Sequence, residues 1–424
     1  MKLITKKFRR PFLRTFFLNM RIRKVRIPES EWYLYECPCE ADRMLGLAAP
    51  QEARRINPDI NLFPSGGEPK RILIVKPDSA GDYLLFRNGI RTLRESTQYK
   101  NAEVTLIVSS AIRGIPEYID GEDVKKIFYV PHPFWEKSDQ EQIAVLKQFF
   151  DDGLPKQFDA VFFPSFSRGA FEGFNQLLCA NISAQEKITN TGDFDFDNLA
   201  NMRTNCSYTR VVSNTRGRNR FEYENNVEFI EAVCDAKMPR PVHRIDLPKT
   251  PQTEKYIVIN PSAQEDFRMW HPYNYAKLIA DLMRVYGLRI WLIGGKADKE
   301  RIEAINRLVG GGCSVLCGRP WRESIDLINN AALYIGNDSG CFHLAVSLGT
   351  KSICIAGGAG YQRFTHYPDG EYYRVLLDPD TRAYLHSWMS RPENQSRTCT
   401  FFGNPNTVAV DTVFKNVRNM LGEP

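Results

Sequence analysis

The residues best suited to hold an anion or move a proton sit at turns between apolar runs and helical stretches. Gly336-Asn337-Asp338-Ser339-Gly340-Cys341-Phe342-His343 joins a strand-like run to a helix-like one. Ligands of open parallel sheets bind at that edge. A helix start offers free amides and partial positive charge, which suits phosphate. Ser339 and Gly340 bring amides close to a diphosphate, Asp338 orients the loop or accepts from ligand hydroxyls, and His343 lies one turn on. The same residues also read as a helix cap and a core histidine. A second turn, Asn260-Pro261-Ser262-Ala263 through Arg268-Met269-Trp270, supplies a guanidinium able to neutralise phosphate, with Trp270 packed between elements. A third is Pro77-Asp78-Ser79-Ala80-Gly81-Asp82, a cradle without the Lys-Ser/Thr ending of nucleotide hydrolases. Asp82 there is a helix-start carboxylate. If it faces the second half, it takes the proton of an attacking hydroxyl. Lys76, just before, is placed to anchor an anionic acceptor. Gly357-Gly358-Ala359-Gly360 offers a weaker close-approach signal.

Metal chemistry is not expected. Asp193-Phe194-Asp195 mimics an Asp-any-Asp metal motif but has no neighbouring ligands. Cys37-Pro38-Cys39 has no second pair at zinc spacing. Cys313, Cys317, Cys341 and Cys354 read as buried thiols, and the ten cysteines suit a reducing compartment.

The elements that must position these turns alternate. Ile72-Leu73-Ile74-Val75 is an uninterrupted apolar run, as in a buried parallel strand. Further strands are expected at 104–108, 127–130 and 160–163, with helices at 140–150 and 169–181. Residues 183–250 are polar and hard to read, with one helix near 226–234 and a proline-rich linker after it. A second alternation starts at Tyr256-Ile257-Val258-Ile259, with a helix over 273–286 stopped by Gly287. The fold class is therefore α/β, with two parallel-sheet lobes facing across a cleft. The domains are expected at 1–69 (basic extension and linker), 70–250 (acceptor side), 251–405 (donor side) and 406–424 (terminal helix).

A length of 424 residues fits two cores, and 43% hydrophobic with 25% charged residues is ordinary for a globular chain. No run of about 18 apolar residues appears, so no span is expected. The net charge of +6 comes largely from the first 26 residues. That arm lacks a cleavable-signal pattern. It is read either as a contact to anionic lipid on the inner face of the plasma membrane or as a solvated arm. No nucleic-acid motif accompanies it, and a cytoplasmic location is expected.

Taken in order, these pieces resemble glycosyltransferase family 9, the heptosyltransferases. Ile72-Leu73-Ile74-Val75-Lys76 followed by Ser79-Ala80-Gly81-Asp82 looks like that family's opening. Asn260–Ser262 with Arg268-Met269-Trp270-His271-Pro272, then Leu292–Gly295, Cys317-Gly318 and Ala331–Thr350, look like its donor lobe. The resemblance covers about residues 71–424 and implies a GT-B fold, two Rossmann-like domains. It implies an inverting, metal-independent transfer from a nucleotide sugar, ADP-heptose in the best-known members, to a hydroxyl of a surface glycan such as lipopolysaccharide core. It makes Asp82 the general base. It puts Ser262, Arg268, Lys296, Asp338, Ser339, Gly340 and His343 around the donor, and Lys76, Ser79 and Gly81 toward the acceptor. No cofactor beyond the donor is implied. Two departures bear on the donor: Arg268 stands where lysine is usual, and Lys296 where an acidic residue is expected at the ribose. An epimerase of similar fold, a transferase with another donor or a protein acceptor, and a non-catalytic sugar-nucleotide scaffold are the alternatives.

Overall fold

The computed structural model describes residues 70–191, 205–212, 220–239, 244–367, 372–394, 399 and 403–423, and the backbone of a ribbon in the N-terminal segment. That ribbon pairs β1 (Arg23–Arg26) with β2 (Tyr33–Glu36) antiparallel. The rest of the basic arm, the Cys37–Cys39 pair and Asp193–Asp195 lie outside the described residues.

The first lobe is a sheet of six strands. They are β3 (Arg71–Lys76), β4 (Glu103–Ser109), β5 (Lys126–Val130), β6 (Gln157–Phe163), β7 (Ser183–Asn190) and β8 (Arg210–Val212). Their order is β5-β4-β3-β6-β7-β8, all parallel. The helices are α1 (Ala80–Phe86), α2 (Asn88–Glu95), α3 (Ile115–Ile119), α4 (Asp139–Asp151), α5 (Glu172–Asn181) and α6 (Glu222–Val233). The second lobe repeats this winding with β9 (Tyr256–Asn260), β10 (Arg289–Gly294), β11 (Ser314–Cys317), β12 (Leu333–Asn337), β13 (Ser352–Ile355) and β14 (Tyr373–Leu376). Their order is β11-β10-β9-β12-β13-β14, again all parallel. Its helices are α7 (Pro272–Tyr286), α8 (Lys299–Leu308), α9 (Trp321–Asn329), α10 (Gly340–Ser347), α11 (Pro379–Met389) and α12 (Val410–Leu421).

Apolar runs make these strands because both faces of each sheet are covered. Alternation then sorts the side chains. Leu73 and Val75 enter the outer core of the first lobe, whereas Ile72 and Ile74 enter a core that continues into the second. Ile257 and Ile259 likewise face one side of their sheet and Val258 the other. Each fully buried side chain of this size contributes about 1.5–3 kcal/mol. Gly287 stops α7 at φ 62°, a left-handed conformation that costs a glycine little, and its N–H returns to Met283 O at 3.0 Å.

The structure holds elements that the sequence reading did not give. The polar stretch after residue 183 holds strands β7 and β8, and Tyr373–Met389 holds β14 and α11. β7 is a strand despite Lys187 because the ammonium is buried against Cys179 O at 2.6 Å. Cys341 and Cys354 are buried as expected, but Cys313 and Cys317 are half-buried. Among the described residues, no helix is long and apolar enough to cross a membrane.

Candidate active site

In each lobe the winding order reverses between the first and fourth strands, β3/β6 and β9/β12. The crevice beyond those strand ends is where such sheets bind ligands. The turns singled out from the sequence leave these strands. The loop 77–82 follows β3, Pro261–Ser262 follows β9 and Asp338–Ser339 follows β12, while residues 164–168, which the sequence reading did not single out, follow β6.

The two crevices meet. A Cβ added to Gly340 would lie 2.7 Å from Ala80 Cβ, so the starts of α1 and α10 touch across the cleft. Only glycine permits that approach.

On the first lobe a buried charge cluster surrounds α1. Lys76 is fully buried, and its Nζ lies 3.0 Å from Asp78 Oδ2, which also accepts from Ser165 Oγ. Burial alone would push the Lys76 ammonium down. Asp78, Asp82 and Glu222 together hold it above its ordinary value. Lys76 therefore serves the cluster as a buried countercharge rather than presenting its ammonium at the surface. Asp82, in the first turn of α1, keeps partial exposure. Its desolvation and the Asp78 carboxylate raise its pKa to about 6, against the pull of Lys76 and Arg363. That suits a group that takes a proton near neutrality. Ser79 precedes α1 in extended conformation and makes no side-chain cap, while its carbonyl accepts from Tyr83 N at 3.1 Å. Gly81 lies against the His343 ring.

On the second lobe, Arg268 Nε lies 2.8 Å from Glu265 Oε2, and Nη1 lies 3.6 Å from Asp338 Oδ2. Burial raises the Asp338 carboxyl to about 6, opposed by Arg268. Ser339 starts α10 and leaves its side chain off the helix amides. Ser262 N donates to Asn260 Oδ1 at 2.9 Å, while its buried Oγ makes no hydrogen bond. The loop 261–271 is pinned from behind. Trp270 is fully buried, its backbone N–H donates to Asn337 Oδ1 at 2.9 Å, and Arg301 Nε donates to Pro261 O at 2.9 Å. His343 is buried, with Nδ1 2.6 Å from Tyr367 Oη. Desolvation, with Arg268 nearby, lowers its pKa to about 3, so the ring is neutral and can offer one N–H but no charge. Lys296 is exposed at the end of β10, two strands from β12, and stands outside this inner cluster.

Sequence reasoning missed Glu222 and Arg363. Arg363 Nε donates to Glu222 Oε2 at 2.8 Å, and Nη1 donates to Ser167 Oγ at 3.2 Å. The pair joins the lobes beside Asp82. The glycine run 357–360 is spent on packing. A Cβ on Gly357 would lie 2.5 Å from Gly403 O, and Gly360, at φ 64°, turns the chain into the segment carrying Arg363. Among the described residues no group of three His, Cys, Asp or Glu is arranged to hold a metal ion.

Residues 217–376 match the family model "Glycosyltransferase family 9 (heptosyltransferase)". Lipopolysaccharide heptosyltransferase 3 of Escherichia coli is 29% identical over 114 residues, 26% of this chain and 33% of that enzyme; the match therefore spans about a third of the relative. Heptosyltransferase WaaC of E. coli, solved with ADP, superposes with a TM-score of 0.61 at 18% identity, covering 82% of this chain and 99% of that one. A family 9 glycosyl transferase from Veillonella parvula gives 0.61 at 18% identity, covering 83% and 97%. The fold is therefore the GT-B fold, and the resemblance read from the sequence is borne out.

Proposed function

We propose that this chain, which carries the glycosyltransferase family 9 signature, is an inverting, metal-independent glycosyltransferase. It moves a sugar, heptose from ADP-heptose, to a hydroxyl of a cell-surface glycan such as lipopolysaccharide core. The observation that carries the reading is the meeting of Asp82's helix with the Ser339–Gly340 helix start across the lobe boundary. A proton acceptor with its pKa near 6 thus faces a phosphate-binding turn.

The donor diphosphate lies on the amides at the start of α10, beside Arg268. The acceptor oxygen attacks the anomeric carbon from the face opposite the diphosphate. The carbon–oxygen bond to the diphosphate breaks, and the acceptor proton passes to Asp82. Charge growing on the leaving diphosphate is taken by Arg268 and the helix amides, which replace a metal ion. Neutral His343 contributes a hydrogen bond to that oxygen. Lys76 balances the Asp78 and Asp82 carboxylates, so that Asp82 is largely ionised at neutral pH. The heptosyltransferase names of the relatives, and the ADP in one of their structures, support ADP-heptose. The enzyme works in the cytoplasm, and its basic arm meets the anionic inner face of the membrane.

One observation favours a second reading. Lys296 is an exposed cation on the donor edge where the family expects an acidic ribose partner, and this fits another nucleotide sugar. Calorimetry with ADP, UDP and GDP, with and without EDTA, tests both. ADP-selective, chelator-insensitive binding is expected. Selective UDP or GDP binding keeps the transferase and changes the donor. Binding of none of the three gives the protein a scaffold role instead.

A further inference from the structure

The seam between the lobes holds buried polar atoms that, among the described residues, find no hydrogen-bond partner. Glu222 and Asn225 stand on the first turn of α6, on the first lobe. Gln362 and Thr365 stand on the π-helical turn Tyr361–Thr365, on the second lobe. Glu222 is fully buried. Its Oε2 accepts from Arg363 Nε at 2.8 Å and from Asn225 Nδ2 at 3.3 Å, while Oε1 makes no hydrogen bond. Asn225 Oδ1, Thr365 Oγ1 and both amide atoms of Gln362 also make none, although Gln362 is only 1% exposed.

A buried polar atom without a partner costs stability, and native chains carry few of them. Here several are carried by the two elements, one on each lobe, that the Arg363–Glu222 pair joins. π-helical turns of this kind recur at functional sites. The groups on offer also have a chemical character. Glu222 Oε1 and Asn225 Oδ1 only accept, the Gln362 amide both donates and accepts, and Thr365 supplies a hydroxyl. A phosphate would be repelled by the Glu222 carboxylate and would bring no donors. Sugar hydroxyls donate and accept together, and match the set.

We propose that the seam between Glu222 and Gln362 is the subsite that holds the hydroxyls of the transferred sugar. The inference rests on the transferase reading above. Position favours the donor sugar. The turn carrying Gln362 follows β13, the neighbour of β12, and Tyr367 just beyond it bonds His343 Nδ1 on α10. The subsite thus begins one hydrogen bond from the phosphate-binding helix, and Glu222 acts on the charge of Asp82. The lobes are in contact here, so they part to admit the sugar and close on its hydroxyls.

The test compares the wild type with Gln362→Met and Thr365→Val, which conserve volume but remove the polar atoms. Each is titrated with ADP and with ADP-heptose, and melted without ligand. The expected result has three parts. ADP affinity stays within about twofold of wild type. The extra affinity of ADP-heptose over ADP falls about tenfold or more in Gln362→Met. The ligand-free variants melt at or above the wild-type temperature. A lower melting temperature with weakened ADP binding makes these side chains structural and overturns the proposal. Wild-type sugar preference retained in both variants overturns the subsite and leaves the transferase standing. A wild type that binds ADP-heptose no more tightly than ADP shows that the seam does not hold the sugar and overturns the subsite, whereas binding of none of the nucleotides removes the transferase reading.

Discussion

A Cβ placed on Gly81 would lie 2.7 Å from Cδ2 of His343, so a glycine of one lobe is the seat for a histidine ring of the other. A methyl group there must push the ring, and the ring is held by Tyr367. Gly81→Ala is expected to cost about 1–3 kcal/mol of stability through overpacking. His343→Ala removes the obstructing ring, so the double variant is expected to recover part of that loss. Thermal melts of the four proteins form the cycle. Strict additivity of the two changes would show that the residues do not meet.

Replacing Asp82 with asparagine keeps the size of the side chain and removes the base. Turnover is expected to fall roughly 10²–10⁴-fold, the range for loss of a general base. Nucleotide affinity is expected to hold, because the residues proposed to bind the donor lie on the other lobe. Steady-state kinetics together with calorimetry separate the two effects, and near-normal turnover in the variant would take the base role away from Asp82.

Activity should follow the ionisation of Asp82. Burial and Asp78 raise its carboxyl to about 6, so the base form grows as pH rises through that value. The expected profile of kcat/KM climbs about tenfold per pH unit below 6 and levels above it. Asp338 is also raised to about 6, so it must be separated from Asp82. The inflexion should survive in Asp338→Asn. His343, with its pKa lowered to about 3, stays neutral throughout and adds no limb near 6. Stability should move the other way. Both carboxyls bind their protons more tightly in the folded chain, so the stability they confer is full below the ordinary aspartate pKa and is lost as pH rises through 6.

What could be read from the sequence depended on local pattern. Asp82, Asp338, Ser339 and Gly340 each follow an apolar run that makes a strand of only one kind, fully buried and parallel. The crevice position of these residues followed from that. Glu222, Gln362 and Arg363 had no such frame. Glu222 follows a polar stretch in which β7 hides its lysine by burying it against a carbonyl. Arg363 sits in a π-helical turn with no hydrophobic period. The two residues are 141 apart in sequence, and only the closing of one lobe on the other pairs them. The glycine run 357–360 was misleading for a related reason. It serves distant backbone at Gly403, a contact that no local pattern encodes.

Arg268 stands where the family resemblance expects lysine, and its geometry argues that the difference is functional. The guanidinium reaches two carboxylates at once, Glu265 at 2.8 Å and Asp338 at 3.6 Å. A lysine presents a point charge and cannot span such a pair in one plane. When a diphosphate arrives, the same fork can turn a second edge to it while keeping hold of Glu265. Arg268→Ala is expected to lower ADP affinity about tenfold to a hundredfold, since hydrogen bonds to charged groups contribute about 1.5–3 kcal/mol. It also strips Asp338 of its cation, which moves that carboxyl further up. ADP binding in the variant should therefore gain a pH dependence above 6, as an unpaired carboxylate forms beside the phosphates. Arg268→Lys should fall between the two in affinity and keep the wild-type pH dependence. Calorimetric titration of the three proteins with ADP at pH 5.5 and 8 measures both effects, and equal affinities across the set would place the diphosphate away from Arg268.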